Sequence, residues 1–214
     1  MKKLRVPQLS CVTRNTALQE VSALLDMENC HAIERMPWNN VFYKPQVSFS
    51  IAYTGDAILL KYFVQENSIR VIHYTDNCPV HEDSCVEFFI AFDDEKEYYN
   101  LEFNCIGTCL FAYGDRSERQ LIQEDLVQKI RRQGIIKSST EGETNSINWE
   151  LTLVIPLEVF VHHKITHLKD RHCKVNFYKC GDKLPEPHFL AWKNVEAASP
   201  DFHLPEFFGA LHFI

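Results

Sequence analysis

The stretch DSCVEFFIAFDD, Asp83 to Asp94, decides how this chain is read. Alternation puts Val86, Phe88, Ile90 and Phe92 on one face of a strand, and Cys85, Glu87, Phe89 and Ala91 on the other. The first face is apolar throughout and suits a core. The second would be equally apolar but for one acid. A carboxylate is costly to bury without a partner, so the place of Glu87 needs a reason.

Working outward, YYNLEFN (Tyr98 to Asn104) alternates in the same way, and DDEKE between the two runs has the composition of a turn. An antiparallel hairpin follows, with Phe88 opposite Phe103, Ile90 opposite Leu101 and Phe92 opposite Tyr99. That register sets Glu87 opposite Asn104 and Phe89 opposite Glu102, with Asn100 further along. Glu87 therefore joins a polar face with Asn100, Glu102 and Asn104. KVNFYKC adds Asn176 and Tyr178 by its own alternation.

The rest of the chain is strand-rich. QVSFSIAYT, AILLKYFVQ, SIRVIHYT, INWELTLVIP, HFLAWKNV and FFGALHFI are short apolar or alternating runs, and CIGTCLFAY extends the YYNLEFN run. Two segments have helical spacing: NTALQEVSALLDMEN, through Leu18, Val21 and Leu25, and QEDLVQKIRRQ, through Leu126, Val127 and Ile130. Many short strands without a βαβ rhythm predict an all-β, antiparallel β-sandwich of the immunoglobulin-like or jelly-roll-like kind. It carries a short N-terminal helix and one additional helix. The expected organisation is a helical extension over 1–32 and a sandwich over 33–214.

Composition narrows the function. The 214 residues suffice for one core, and 15 Phe with 8 Tyr against 7 Gly favour sheet over disorder. A formal charge of -7 argues against nucleic-acid binding, which needs a basic face; the run KIRRQGIIK is too short and mixed to supply one. No apolar run is long enough to span a membrane, and the basic start MKKLRVPQLSCVTRN lacks the apolar segment of a secretory signal. The eight cysteines, none spaced C-x-x-C, then read as reduced and mostly buried thiols, which points to the cytoplasm.

A sheet face that mixes Glu, Asn and Tyr with aromatic rings suits a sugar. Carboxylates and amides meet vicinal hydroxyls, and rings cover the C–H face of a pyranose. An ordinary solvated face has the same composition, so alternation alone leaves both readings open.

The chain also resembles the family 9 carbohydrate-binding modules, within the DOMON-like sandwich group. DSCVEFFIAF is similar to the family's D-S-V-E-x-F strand, YYNLEFN to its Q-F-R-V-N strand, and INWELTLVIPLEVF to its amphipathic strand ending in I-P. KVNFYKCGD resembles F-N-x-Q-x-N-D, FLAWKNV resembles S-W-x-D, and PDFHLPEFFGALHFI resembles W-x-x-P-x-x-F-G-x-L. The matches run in order over residues 33–214, and the wording of NFYKCGD and DFHLPEFFG resembles that of a bacterial family 9-like subgroup. The resemblance implies a sandwich that binds a sugar or glycan end without catalysis. It places the family's sugar-binding Glu on Glu87, its Arg on Asn100 and its Gln on Tyr178. The family's two sugar-stacking Trp positions fall on His81 and Phe202. Glu102 and Asn104 are further contributors by their shared face. Because the Arg and both Trp are replaced, the alternative is a stand-alone sandwich that keeps the fold for interaction and has lost the sugar.

Other constellations carry less. Glu87 and Glu102 would make the carboxyl pair of a glycoside-acting enzyme, the third reading. The resemblance brings structural calcium into view, with Asp83, Asp93, Asp94 and Asp182 as oxygen donors, although their spacing matches no known loop. HHKITHLKDRHC holds four His and a Cys at no zinc spacing and reads as a solvated loop. Trp149 and Trp192 read as core, and Trp38 as either core or rim.

Overall fold

The computed structural model describes residues 3–38, 43–92, 96–141 and 144–214. The strands are β1 (Lys3–Val6), β2 (His31–Ala32), β3 (Gln46–Tyr53), β4 (Ala57–Glu66), β5 (Cys85–Ala91), β6 (Tyr98–Asn104) and β7 (Cys109–Gly114), followed by β8 (Arg119–Leu121), β9 (Arg131–Glu141), β10 (Thr144–Pro156), β11 (His172–Cys180), β12 (Phe189–Ala191) and β13 (Gly209–Phe213). The two α-helices are α1 (Leu18–Leu25) and α2 (Glu124–Val127). One sheet runs β1-β13-β11-β5-β6-β7-β8, with β12 also paired to β11; the other runs β2-β3-β4-β10-β9. Among the described residues no helix is long and apolar enough to cross a membrane.

The sheets meet through their apolar faces, as the alternation predicts. Phe49 of β3 stacks on Phe177 of β11 at 3.7 Å, Phe177 stacks on Phe88 of β5 at 5.1 Å, and Trp192 stands edge-on to Phe49 and Phe177. Trp149 and Trp192 are core residues, as expected. The Tyr62 hydroxyl of β4 crosses the layer to donate to the Glu87 carbonyl at 2.8 Å. Helix α1 lies on the outer face of the second sheet, where Val21 and Leu25 pack against Ala52, Leu59 and Val154 and Asp26 pairs with the buried Lys61.

A charged group also bridges the sheets. Glu66 ends β4 and Lys179 nears the end of β11, both buried, with Lys179 Nζ 3.0 Å from Glu66 Oε2. Trp149 Nε1 donates to Glu66 Oε1 at 2.7 Å. Lys179 Nζ lies 2.8 Å from both the Cys180 carbonyl and His188 Nε2, while His188 Nδ1 is 2.9 Å from the Glu186 carbonyl. That arrangement makes Nδ1 the protonated nitrogen of His188 and leaves Nε2 to accept from the lysine.

Four expectations need correction. The β5–β6 register is shifted by two residues, pairing Val86 with Phe103, Glu87 with Glu102 and Phe89 with Asn100. A slip of two keeps every side chain on its own face, so alternation could not detect it. SIRVIHYT is not a strand, because its backbone donors are taken by side chains: Ile72 and His73 N–H donate to the Asp83 carboxylate and Arg70 N–H to the Ser84 hydroxyl. QEDLVQKIRRQ holds only the single turn α2 before Arg131 enters β9, which pairs along β10. Residues 3–32 supply β1 and β2 as well as the helix, and β1 pairs in parallel with β13 inside the first sheet.

The β7–β8 turn depends on Gly114, whose φ is +149° and whose added Cβ would lie 2.1 Å from the Glu118 carbonyl oxygen. Gly114→Ala should therefore lower stability by about 2 kcal/mol. The check is a lower urea midpoint at unchanged m-value.

Candidate functional site

The two faces of β5 answer the question set by Glu87. Val86, Phe88 and Ile90 enter the core between the sheets, whereas Cys85, Phe89 and Ala91 belong to a second apolar cluster on the outer side of the same sheet. Trp38, Tyr98, Tyr178, Val195, Phe202, Leu204 and Phe208 complete that cluster. The chain from Val195 to Phe208 thus covers the sheet's outer face. Where the cover stops, a cavity of about 200 Å³ opens over Glu87.

Glu87, Glu102 and Cys180 form the floor of this cavity, donated by β5, β6 and the end of β11. His81 projects from the 3-10 turn Val80–Glu82, and Asp182 follows β11. Phe189, Pro200, Asp201, Phe202 and His203 supply the remaining wall. Among the lining residues there are four acids and no Lys or Arg.

The two floor carboxyls are direct cross-strand partners, 3% and 5% exposed. Burial drives the Glu87 pKa well above the ordinary carboxyl range, and the facing Glu102 charge pushes in the same direction. Cys180 Sγ donates to Glu87 Oε1 at 3.1 Å. Asn100 Nδ2 donates to Glu102 Oε1 at 3.0 Å, but Glu102 Oε2 is buried and accepts no hydrogen bond. Its nearest cationic partner, His81 Nδ1, stands 3.7 Å away, too long for a hydrogen bond. The Glu102 carboxylate nevertheless raises the pKa of the rim imidazole of His81.

Aromatic packing fixes the wall. The Phe202 ring stacks on Tyr178 with centroids 4.1 Å apart and 12° between planes, and Trp38 lies 5.6 Å from it. Trp38 is itself buried and donates Nε1–H to the Ala197 carbonyl, so it supports the wall from behind. His203 packs on Phe89, and its Nδ1 lies 3.0 Å from the Tyr98 hydroxyl.

Of the seven residues singled out from sequence, Glu87, Glu102, His81 and Phe202 line the cavity together. The other three stand behind it. Tyr178 is fully buried and donates its hydroxyl to the Phe202 carbonyl, Asn100 orients Glu102, and Asn104 holds the His73 carbonyl, Asp83 and Thr108 N–H. Sequence reasoning missed Cys180, although it alternates with Tyr178 along β11, and Phe189 at the start of β12; Pro200, Asp201 and His203 come from a loop that carries no periodicity. Asp201 and His203 do flank Phe202 in the quoted PDFHLP.

For calcium, the Asp83 oxygens are occupied by Ile72, His73 and Asn104 donors, with Arg70 Nε 3.7 Å away. Asp93 and Asp94 lie outside the described residues. The histidine-rich run pairs with aromatics instead of converging: Tyr113 stacks on His162, and His163 Nδ1 is 3.0 Å from the Tyr99 hydroxyl. A larger concavity, about 600 Å³, lies on the second sheet around Gln46, Phe63, Gln65 and Glu150. It contains no convergent buried carboxyls, so the smaller cavity is the stronger candidate.

The sequence profile described as carbohydrate-binding family 9 matches residues 19–213. A candidate carbohydrate-binding protein from Bacteroides uniformis is 38% identical, with a TM-score of 0.90 over 100% of this chain and 99% of that one. A family 9 module from Caldicellulosiruptor kristjanssonii, in complex with glucose, superposes with a TM-score of 0.61 at 10% identity, covering 100% of this chain and 96% of the module. With cellotriose, a module from the same organism gives 0.56 at 10% identity, covering 99% and 93%. Among curated proteins none matches the chain.

Proposed function

The chain belongs to carbohydrate-binding family 9, and from that premise we propose that it binds one neutral sugar ring, non-catalytically, in the cavity over Glu87. The observation that carries this reading is Glu102, a cavity-lining acid whose Oε2 is buried without a hydrogen bond. Leaving such an atom unmet costs roughly 1–3 kcal/mol or more, and a ligand hydroxyl would remove that cost. Glu87, whose carboxyl is pushed toward its protonated form by burial, stands beside that acceptor. Phe202 and Phe189 supply the apolar wall.

Size and charge narrow the ligand. The cavity, about 200 Å³, is below the roughly 300–1,000 Å³ of sites for drug-sized ligands, so it suits one ring at a chain end. Four lining acids without Lys or Arg disfavour uronic acids and sulfated sugars. Glycoside hydrolysis needs carboxyls flanking the scissile bond. Glu87 and Glu102 instead stand side by side on neighbouring strands of one face, which supports binding without cleavage.

A thermal-shift series with glucose, cellotriose and a panel of neutral and acidic sugars tests the proposal. A neutral sugar should raise the melting temperature with concentration, as mass action requires. The rise should vanish in Glu87→Ala and shrink in Phe202→Ala. If no sugar at millimolar concentration moves the transition of the folded protein, the fold serves another kind of contact.

A further inference from the structure

Behind the sugar-sized space lies a second set of groups. Cys85 and Cys180 are direct partners across β5 and β11, and Glu87 lies two residues beyond Cys85, so all three point to one face. One ligating atom from each lies within 4.8 Å of the others, an arrangement that no other three His, Cys, Asp or Glu side chains share among the described residues. Cys180 Sγ and Glu87 Oε1 are 3.1 Å apart, and the three residues are at most 3% exposed.

A further buried acid stands beside this set. Glu102 Oε2 is buried at the same floor without a hydrogen bond. The adjacent Lys179 turns to the opposite side of the sheet and is engaged by Glu66. The geometry points to a binding site for a thiophilic divalent ion of the zinc class, held by Cys85, Cys180 and Glu87 with its fourth position toward the cavity. Two sulfurs make the set too soft for calcium or magnesium. Zinc bonds of about 2.3 Å to sulfur and about 2.0–2.2 Å to oxygen fit within such a triangle of ligands. Binding releases the two thiol protons and the Glu87 proton to solvent, leaving two thiolates and a carboxylate on the ion.

Cobalt(II) titration of the full chelator-stripped chain reports this directly. One equivalent should produce a near-ultraviolet thiolate-to-cobalt band with tetrahedral visible bands, and equimolar zinc should bleach both. Cys85→Ser and Cys180→Ser should each weaken binding more than about a hundredfold, beyond the usual effect of losing an outer-sphere partner. The triple variant Cys11→Ser, Cys30→Ser, Cys78→Ser, which removes the more accessible thiols, should keep the bands. It keeps the test decisive even if the pocket variants fail to fold. Absence of a thiolate band, or its loss in that variant, overturns the site. Sugar binding is scored separately on the metal-free chain, so either reading can fail alone.

Discussion

Lys179→Met should lower the unfolding free energy by about 3–5 kcal/mol, the usual cost of breaking a buried ion pair from one side. The substitution leaves the Glu66 carboxylate between the sheets with Trp149 Nε1 as its remaining close donor. It also strips the Cys180 carbonyl and His188 Nε2 of their shared donor. The double variant Glu66→Gln, Lys179→Met separates charge from packing. The glutamine oxygen still accepts from Trp149, and no net charge is left in the layer. Most of the loss should return, because a neutral pair escapes the desolvation penalty that the ion pair carries. Urea unfolding of the three chains measures it. A double variant as unstable as the single one would mean that the lysine acts through packing alone.

The same group shows where sequence reading reaches its limit. Periodicity located the apolar faces of β3, β4, β5, β10 and β11, because a strand buried on both sides still alternates between two different environments. It placed Glu87 and Glu102 on one face, and the family resemblance added His81 and Phe202; the folded chain brings these four around one cavity. It did not show that Glu66 and Lys179, 113 positions apart, meet inside the sandwich; on their own strands each reads as an ordinary polar residue. Nor could it fix the β5–β6 register, where a shift of two is silent to side-chain direction but replaces Asn104 with Glu102 opposite Glu87. That change turns a carboxyl facing an amide into two facing carboxyls, and the chemistry of the floor follows from it. SIRVIHYT failed for a related reason. Its composition favours a strand, but the carboxylate of Asp83, ten residues on, captures the backbone donors a ladder would need.

Acid should cost this protein stability through His188, a buried neutral imidazole, as well as through its carboxylates. Burial and the adjacent Lys179 ammonium hold the His188 pKa at about 3, against 6.5 for the unfolded chain. Between those values the unfolded state binds a proton that the folded state refuses, so stability rises with pH. The contribution is complete above 6.5 and is lost as pH falls toward 3, at up to about 1.4 kcal/mol per pH unit and on the order of 4–5 kcal/mol in all. Glu87 works in the opposite sense. Its folded pKa is raised, so its contribution is present below the unfolded value near 4.5 and is lost as pH rises through the folded value. The two slopes oppose each other between about 4.5 and 6.5, so wild-type stability should be highest in that interval. His188→Gln keeps an acceptor for Lys179 without a titrating group, so its urea midpoint should rise relative to that of the wild type as pH falls from 7 to 4.5. Glu87→Gln should flatten the alkaline side and stabilise the chain at pH 8 while weakening the sugar. Identical acid limbs in wild type and His188→Gln would show that the proton is taken up elsewhere. A less stable Glu87→Gln at pH 8 would show that the acid contributes more to the fold than its burial costs.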